Sequence, residues 1–445
     1  MSLMSFKAGT ASIVITPSES MWMAGFAARR VASSGVELDL YAKALAIEDE
    51  SGHRQIIITS DLIAISKEIA DYVCSRSQEK FGLKREQILI TSSHTHCGPE
   101  VRPSKVPFFH IPEEFARKIQ PYVDELQEKI IAITGEALND LEPVTLTAHQ
   151  TATHFAANRR GHETWADKSV PILAVKKKDG SYKAVVFGYA CHNTTLRPDY
   201  TKFNSDYCGY AQQELQKDFP GCQAMFIAGA GADQNPALIG SLEAVQAQGR
   251  LLAAEVRYAL AGASASSGVV GAKATPWTKP EAAPGTSVVL SGPIRSALDY
   301  AMLQHQPLPP RAELESQSKS EQLEVRTKAK FLLDKLDSGH TFSPTYPCPL
   351  HAISFGDSLL MIAIAGEPVS DYAIMMKKEF QAPVVWIAGY ANDMFGYVPT
   401  ARVQKENGYE GGRAMLWAAL PMPWTEGVED RVMETARKVV QEIRK

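Results

Sequence analysis

The sequence contains no apolar run of the length needed to cross a bilayer, which argues against a helical membrane-spanning segment. It also lacks a concentrated stripe of one charge: 46 Lys+Arg stand against 50 Asp+Glu, a formal net charge of -4. Nucleic acid and anionic lipid are therefore not expected as partners recognised by general electrostatics. Cysteine is scarce. Cys74, Cys97, Cys191, Cys208, Cys222 and Cys348 are dispersed without a CxxC pair, so they read as reduced thiols rather than a disulfide framework. The segment Met1-Ser2-Leu3-Met4-Ser5-Phe6-Lys7 has no hydrophobic stretch of the kind a secretory signal carries, and a cytoplasmic enzyme is the expectation. Gly229-Ala230-Gly231 lacks the third glycine of a dinucleotide fingerprint, and no phosphate-binding P-loop is present.

What remains is ordinary globular composition, 45% hydrophobic and 22% charged over 445 residues, enough for a sizeable core. Strands are expected at Ala11–Pro17, Tyr41–Glu48 and Gln55–Asp61, the last leading through an amphipathic helix over Lys67–Lys80 to an apolar strand at Ile88–Ile90. These strands are β-branched and do not alternate with polar residues, the pattern of a sheet covered by helices on its faces. A helix follows over Pro112–Leu138, with Pro121 expected to break or kink it. A strand at Val144–Ala148 precedes a hairpin of Val170–Lys176 and Lys183–Ala190 across Asp179-Gly180. Tyr207–Phe219 reads as a helix with Asp206 as its N-cap, Ala224–Ile227 as a strand, and the stretch beyond Pro236 as a helix to about Ala261. From about 262 to 346 composition shifts to Ala/Ser/Gly/Pro and then to a Lys/Glu/Gln-rich helical stretch over Glu321–Leu336, read as a variable insertion in a single domain spanning 1–445. Strands return at Leu350–Phe355, Leu359–Ile364 and Val384–Ile387, with a helix near Asp371–Phe380. The fold class is α/β: a mixed sheet covered by helices.

The stretch with chemistry in it is Thr91-Ser92-Ser93-His94-Thr95-His96-Cys97-Gly98-Pro99, which leaves the Ile88 strand for a glycine-proline turn. In extended backbone residues two apart share a face, so spacing alone directs His94 and His96 to one point, and neutral imidazole is a common zinc ligand. His192, Glu367 and Tyr397 likewise follow apolar strands by a few residues. Each alone also fits a satisfied core histidine, a helix-start carboxylate or a half-buried phenol. Together they fit a metal site at the C-terminal ends of strands, where ligands bind in open α/β sheets.

The chain resembles the neutral/alkaline (non-lysosomal) ceramidase family. The resemblance rests on Ala8-Gly9 with Ile15-Thr16-Pro17, Met23-Ala24-Gly25, Tyr41-Ala42-Lys43-Ala44, Ser60-Asp61, His94-Thr95-His96-Cys97-Gly98-Pro99, Gly366-Glu367-Pro368 and Tyr397 followed by Tyr409-Glu410-Gly411-Gly412. It implies hydrolysis of the N-acyl amide of ceramide with one zinc ion, the ligands mapping to His94, His192, Glu367 and Tyr397. His96 would face the substrate as proton relay or oxyanion donor, where spacing alone would make it a ligand. Arg159 would bind the polar end of the substrate, and Tyr409 and Asp233 belong to the expected catalytic set. Asp61, Asp233 and Asn235 stand at strand ends, where they would orient ligands or cap helices. The resemblance departs at two places. The family loop carries a serine in a Gly-x-x-Ser-Pro-Asn context, and this chain has Gly231-Ala232-Asp233-Gln234-Asn235-Pro236; the family's immunoglobulin-like C-terminal domain is expected to be absent.

The expected activity is therefore zinc-assisted hydrolysis of a small-molecule or lipid-like N-acyl amide by metal-activated water, with no serine required. Two alternatives stay open: a zinc esterase or lactonase acting on a small carbonyl substrate, and a non-catalytic homologue that binds without hydrolysing.

Overall fold

The computed structural model describes residues 6–162, 165–262 and 285–445. Its first sheet is built from β1 (Phe6–Val14), β2 (Tyr41–Asp49), β3 (Arg54–Ser60), β4 (Ile88–Ser92), β5 (Glu142–Ala152), β6 (Ser169–Lys177), β7 (Tyr182–Tyr189) and β8 (Gln223–Ala228), with β9 (Thr286–Val289) added to β5. The order is β8-β7-β6-β5-β1-β2-β3-β4; β3/β4 and β7/β8 pair in parallel and the other pairs are antiparallel. A second sheet runs β10 (Ile294–Gln304), β11 (Thr345–Phe355), β12 (Leu359–Ile364) and β13 (Val384–Ala388), antiparallel except for the parallel β12/β13 pair.

The period-2 alternation of side chains decides what each face touches. In β2 and β3, Ala42, Ala44, Ala46, Ile56 and Ile58 join the core that packs on helices, whereas Leu45, Ile47 and Ile57 join a core shared with Met361, Phe355 and Trp386 of the second sheet. Both faces are buried, which is why these strands read as unbroken apolar runs. The second sheet turns its other face, including Leu350, Ile362 and Ile364, to the helices Asp371–Glu379 and Val428–Ile443. The layers are helix, sheet, sheet, helix. Small residues set the spacing: a Cβ on Gly9 of β1 would lie 2.0 Å from the Ala137 carbonyl oxygen of the helix Glu113–Asn139, so that helix rests directly on the sheet.

Two expectations are corrected. Pro121 neither breaks nor ends its helix, which runs unbroken from Glu113 to Asn139. Pro121 and Arg117 are both exposed, so the Arg117 carbonyl that loses its N–H partner can take water instead. Asp206 is not an N-cap but the first residue of its helix, at φ 59 and fully buried, accepting from Leu196 N at 3.1 Å and Tyr207 N at 2.7 Å. It thereby ties the loop after β7 to the helix. Within the stretch read as an insertion, 263–284 lies outside the described residues, while β9 and β10 are strands of the two sheets.

Trp386 of β13 is the largest fully buried side chain, and a Cβ on Gly188 of β7 would stand 2.8 Å from its Nε1. The indole therefore fills the layer between the sheets. Trp386→Ala should lower stability by about 3–5 kcal/mol, the cost of deleting a buried aromatic and leaving a cavity. Denaturant unfolding followed by circular dichroism checks this; a loss under about 1 kcal/mol would mean the two sheets do not depend on that contact.

Candidate metal centre

The ends of the two sheets are stitched together by backbone, and this brings the candidate residues to one place. Ser92 N donates to Tyr390 O at 3.2 Å, Asn392 N to Ile90 O at 2.7 Å, and Gly389 N to Ala228 O at 2.9 Å, joining the ends of β4, β8 and β13. Thr95 and Asn193 form an isolated parallel bridge between the loops after β4 and β7. Glu367–Pro368 pairs in parallel with Tyr397–Val398, Glu367 opposite Tyr397. Asp206, Tyr390, Asn392 and His94 all adopt positive φ, a conformation that costs of order 1–3 kcal/mol for a non-glycine residue and that clusters at functional sites.

His94 and His192 are held alike. His94 Nδ1 lies 2.7 Å from Ile63 O and His192 Nδ1 lies 3.0 Å from Gly231 O, so in each ring Nδ1 carries the proton and Nε2 presents a lone pair. Both lone pairs face one carboxylate oxygen: Glu367 Oε2 is 3.4 Å from His94 Nε2 and 3.5 Å from His192 Nε2. That oxygen is buried and has no hydrogen-bond partner. Three acceptors pointed at one another with no donor between them call for a cation. Two donors each about 2.1 Å from a tetrahedral ion stand roughly 3.4 Å apart, so the observed spacing fits zinc ligation. Burial holds His94 neutral, its pKa down at about 3. Burial alone would raise the Glu367 pKa, and the nearby Arg159 guanidinium opposes that by favouring the ionised carboxylate.

His96 joins the same group, its Nε2 3.3 Å from His94 Nε2, and the three imidazoles offer nitrogens within 4.8 Å of one another. Bare spacing makes both His94 and His96 ligands, and the family resemblance expects His94, His192, Glu367 and Tyr397; the fold brings His96 and His192 to the same place as His94. His94 Nε2 has a single lone pair, which serves either the His96 N–H or an ion. The His96 ring leans on Phe26 at 4.6 Å, and its Nδ1 is buried without a partner. Burial pushes its pKa well below the usual histidine range.

Tyr397 reaches the site through Arg159, whose Nη2 donates to the phenol oxygen at 3.1 Å. Arg159 was expected to bind substrate, but its guanidinium is occupied within the protein: Nε pairs with Glu410 Oε1 at 2.5 Å, and Nη1 stands 3.5 Å from Asn235 Oδ1. Tyr409, 44% exposed, packs edge-on against Tyr397 at 5.4 Å and lies under Arg159 at 5.5 Å, at the rim of the group. Asp233, expected among the catalytic groups, is fully buried and saturated. It accepts from Asn158 Nδ2 at 2.8 Å, Arg160 Nη2 at 2.8 Å and Ser370 N at 2.8 Å, and so braces the Arg159 segment rather than facing the imidazoles. Asp61 accepts from Tyr41 N at 3.0 Å, tying the end of β3 to the start of β2. Burial pushes its pKa up to about 6.

Sequence reasoning missed Phe26, Tyr390 (ring 4.4 Å from His94), Glu410, and the bidentate Glu100–Arg102 pair buried just past Pro99, at 2.7 and 2.9 Å. Gly25 was the available signal for Phe26 and His96. It sits at φ +95, and a Cβ there would lie 2.4 Å from the His96 ring.

The family model for neutral/alkaline non-lysosomal ceramidase, N-terminal, matches residues 6–246. Among curated proteins, Neutral ceramidase A of Dictyostelium discoideum is 22% identical over 250 residues, covering 51% of this chain and 35% of that protein. Neutral ceramidase of Drosophila melanogaster is 22% identical over 226 residues, covering 47% and 32%. The matched stretch thus spans about a third of the length of these relatives. The crystal structure of neutral ceramidase from Pseudomonas aeruginosa superposes with a TM-score of 0.72 at 16% identity, covering 98% of this chain and 75% of that one. A structure titled ceramidase complexed with C2 gives 0.72 at 15% identity, covering 98% and 76%. At these identities the structural matches establish the α/β fold.

Gly25→Ala should fold with stability lowered by roughly 1–3 kcal/mol, because the new methyl meets the His96 ring and the backbone resists positive φ. Thermal unfolding measures it. An unchanged melting temperature would show that the His96 ring moves aside freely.

Proposed function

This chain belongs to the neutral/alkaline non-lysosomal ceramidase family, and from that premise we propose that it hydrolyses an N-acyl amide bond, using one zinc ion held by His94, His192, Glu367 and Tyr397. The observation that carries the reading is the orphaned Glu367 Oε2, set 3.4 and 3.5 Å from two imidazole nitrogens whose opposite nitrogens are locked to backbone carbonyls. When bound, zinc supplies a Lewis acid and brings the pKa of its water toward 7.

The chain's own residues then have separate duties. His94 and His192 keep their tautomers because Ile63 O and Gly231 O accept their Nδ1 protons. Arg159, fixed by Glu410, donates to the Tyr397 oxygen and favours its anionic form, opposing the burial that raises the phenol's pKa. Arg159 is a positioning residue in this reading. His96 is neutral and turns Nε2 toward the ligand group, 3.3 Å from His94 Nε2, where that nitrogen can take a proton from the attacking water and deliver it to the departing amine. No serine occupies the Gly231–Pro236 loop, and water is the nucleophile proposed. The substrate class is a lipid-like or small N-acyl amide.

Two measurements test this. Metal content by plasma emission should be near one zinc per chain and should fall in His94→Ala, His192→Ala and Glu367→Ala; full retention in all three would place the metal elsewhere. Next, a panel running from acetylated small amines to ceramide should reveal amide hydrolysis. His96→Ala should keep its zinc while turnover drops, typically 10²–10⁴-fold for a lost general acid or base. If zinc and turnover fall together, His96 is itself a ligand; zinc-replete protein active on esters and on no amide would replace the amide reading.

A further inference from the structure

One well-formed cavity among the described residues stands apart from the metal centre. It has a volume of about 890 Å³ and lies between the helix Leu323–Asp337 and the segment that follows Trp417. None of His94, His96, His192, Glu367 or Tyr397 lines it. The volume falls within the range of roughly 300–1,000 Å³ typical of small-molecule sites. One part of its wall is apolar, from Leu323, Phe331, Phe342 and Leu420. Another part is cationic: Arg326, Lys330 and Lys335 face it against a single carboxylate, Asp334. This stands out in a chain whose net charge is -4.

The cations differ in how far they are already satisfied. Arg326 Nη1 donates to Ser320 O at 2.5 Å and Glu321 O at 3.2 Å. Lys328, two residues on from Arg326, points inward and donates to Ala418 O at 2.8 Å, to Met415 O at 3.2 Å and to Leu420 O, which ties the helix to the segment carrying Leu420. The side-chain ammonium groups of Lys330 and Lys335 make no hydrogen bond or ion pair among the described residues; that of Lys335 stands 5.9 Å from the Phe331 ring centre. Two free ammonium groups beside an aromatic and aliphatic wall suit a ligand with an anionic head and an alkyl tail. A neutral ligand would leave the lysines unused, and a small inorganic anion would leave the apolar wall wet.

We infer that this cavity is a second binding site, taking an anionic amphiphile whose head pairs with Lys330 and Lys335 and whose chain lies along Phe331 and Leu420. The site does not depend on amide hydrolysis, because no residue of the metal centre lines it.

The test is displacement of a fluorescent fatty acid from the full chain by laurate, dodecyl phosphate, dodecanol and butyrate. Laurate should bind saturably, one per chain, and at least about tenfold more tightly than dodecanol or butyrate. Comparing laurate with dodecyl phosphate identifies the preferred head group. The double charge reversal K330E/K335E should weaken laurate roughly tenfold and leave dodecanol unchanged, while Phe331→Ala should weaken both. K330Q/K335Q should give a smaller loss of the same sign, which keeps the test usable if the reversal misfolds. His192→Ala should bind laurate as wild type does, and loss there would assign the binding to the metal centre. Laurate held no more tightly than dodecanol, or equally well by the charge-reversed chain, would overturn the proposal.

Discussion

The strand ends are arranged around one buried carboxylate oxygen, Glu367 Oε2. A carboxylate taken out of water without a donor costs several kcal/mol, and no side chain among the described residues supplies the missing hydrogen bond. The fold nevertheless holds that oxygen in place from several directions. Glu367 N donates to Gly396 O at 2.8 Å, Glu367 pairs with Tyr397 across a parallel bridge, and two imidazoles with fixed tautomers face its side chain. Such a site suits a cation, and the positive-φ backbone at His94, Tyr390 and Asn392 shows that local strain is tolerated to build it.

The stacked sheets make this possible. Their inner faces share a core, so the ends of β4, β7, β12 and β13 cannot shift independently, and short backbone hydrogen bonds between those ends convert sheet packing into side-chain position. Around the candidate ligands stands an ionic girdle, Glu410 to Arg159 to Tyr397 on one side and the buried Glu100–Arg102 pair on another. Asp233 joins the same framework through Arg160 and Ser370.

Much of this was readable in the sequence where local physics dominates. Apolar, β-branched runs such as Gln55–Asp61 and Leu359–Ile364 appear as strands within a residue of their expected bounds, because both faces of each are buried. His94, His192, Glu367 and Tyr397 were legible as strand-end residues; the structure turns the His94 and His192 rings toward Glu367 and pairs Glu367 with Tyr397 across a short parallel bridge. What was not legible depended on long-range contact. Phe26 meets His96 across seventy positions of sequence only because Gly25 leaves room for the ring. Arg159 looked free because its partner, Glu410, lies 251 residues away. Asp233 had the residue type and the location of a catalytic group, and only the three donors that surround it reveal a brace. β10 escaped notice because its burial alternates, Ala297 and Ala301 inward with Arg295 and Met302 outward, within a stretch whose composition resembled a linker.

The groups that fix the two imidazole tautomers are main-chain carbonyls, those of Ile63 and Gly231. A carboxylate in that role could be deleted by a single codon change; a carbonyl survives any replacement of its own side chain. The two positions nevertheless differ in what sequence drift can do to them. Position 63 offers its oxygen whatever apolar side chain the core accepts, so it can vary without any trace in the chemistry. Position 231 cannot, because a Cβ there would come within 2.6 Å of the Ala190 carbonyl carbon, on the strand that leads to His192. Half of the tautomer lock is therefore invisible to comparison of sequences, and the other half is recorded as a glycine.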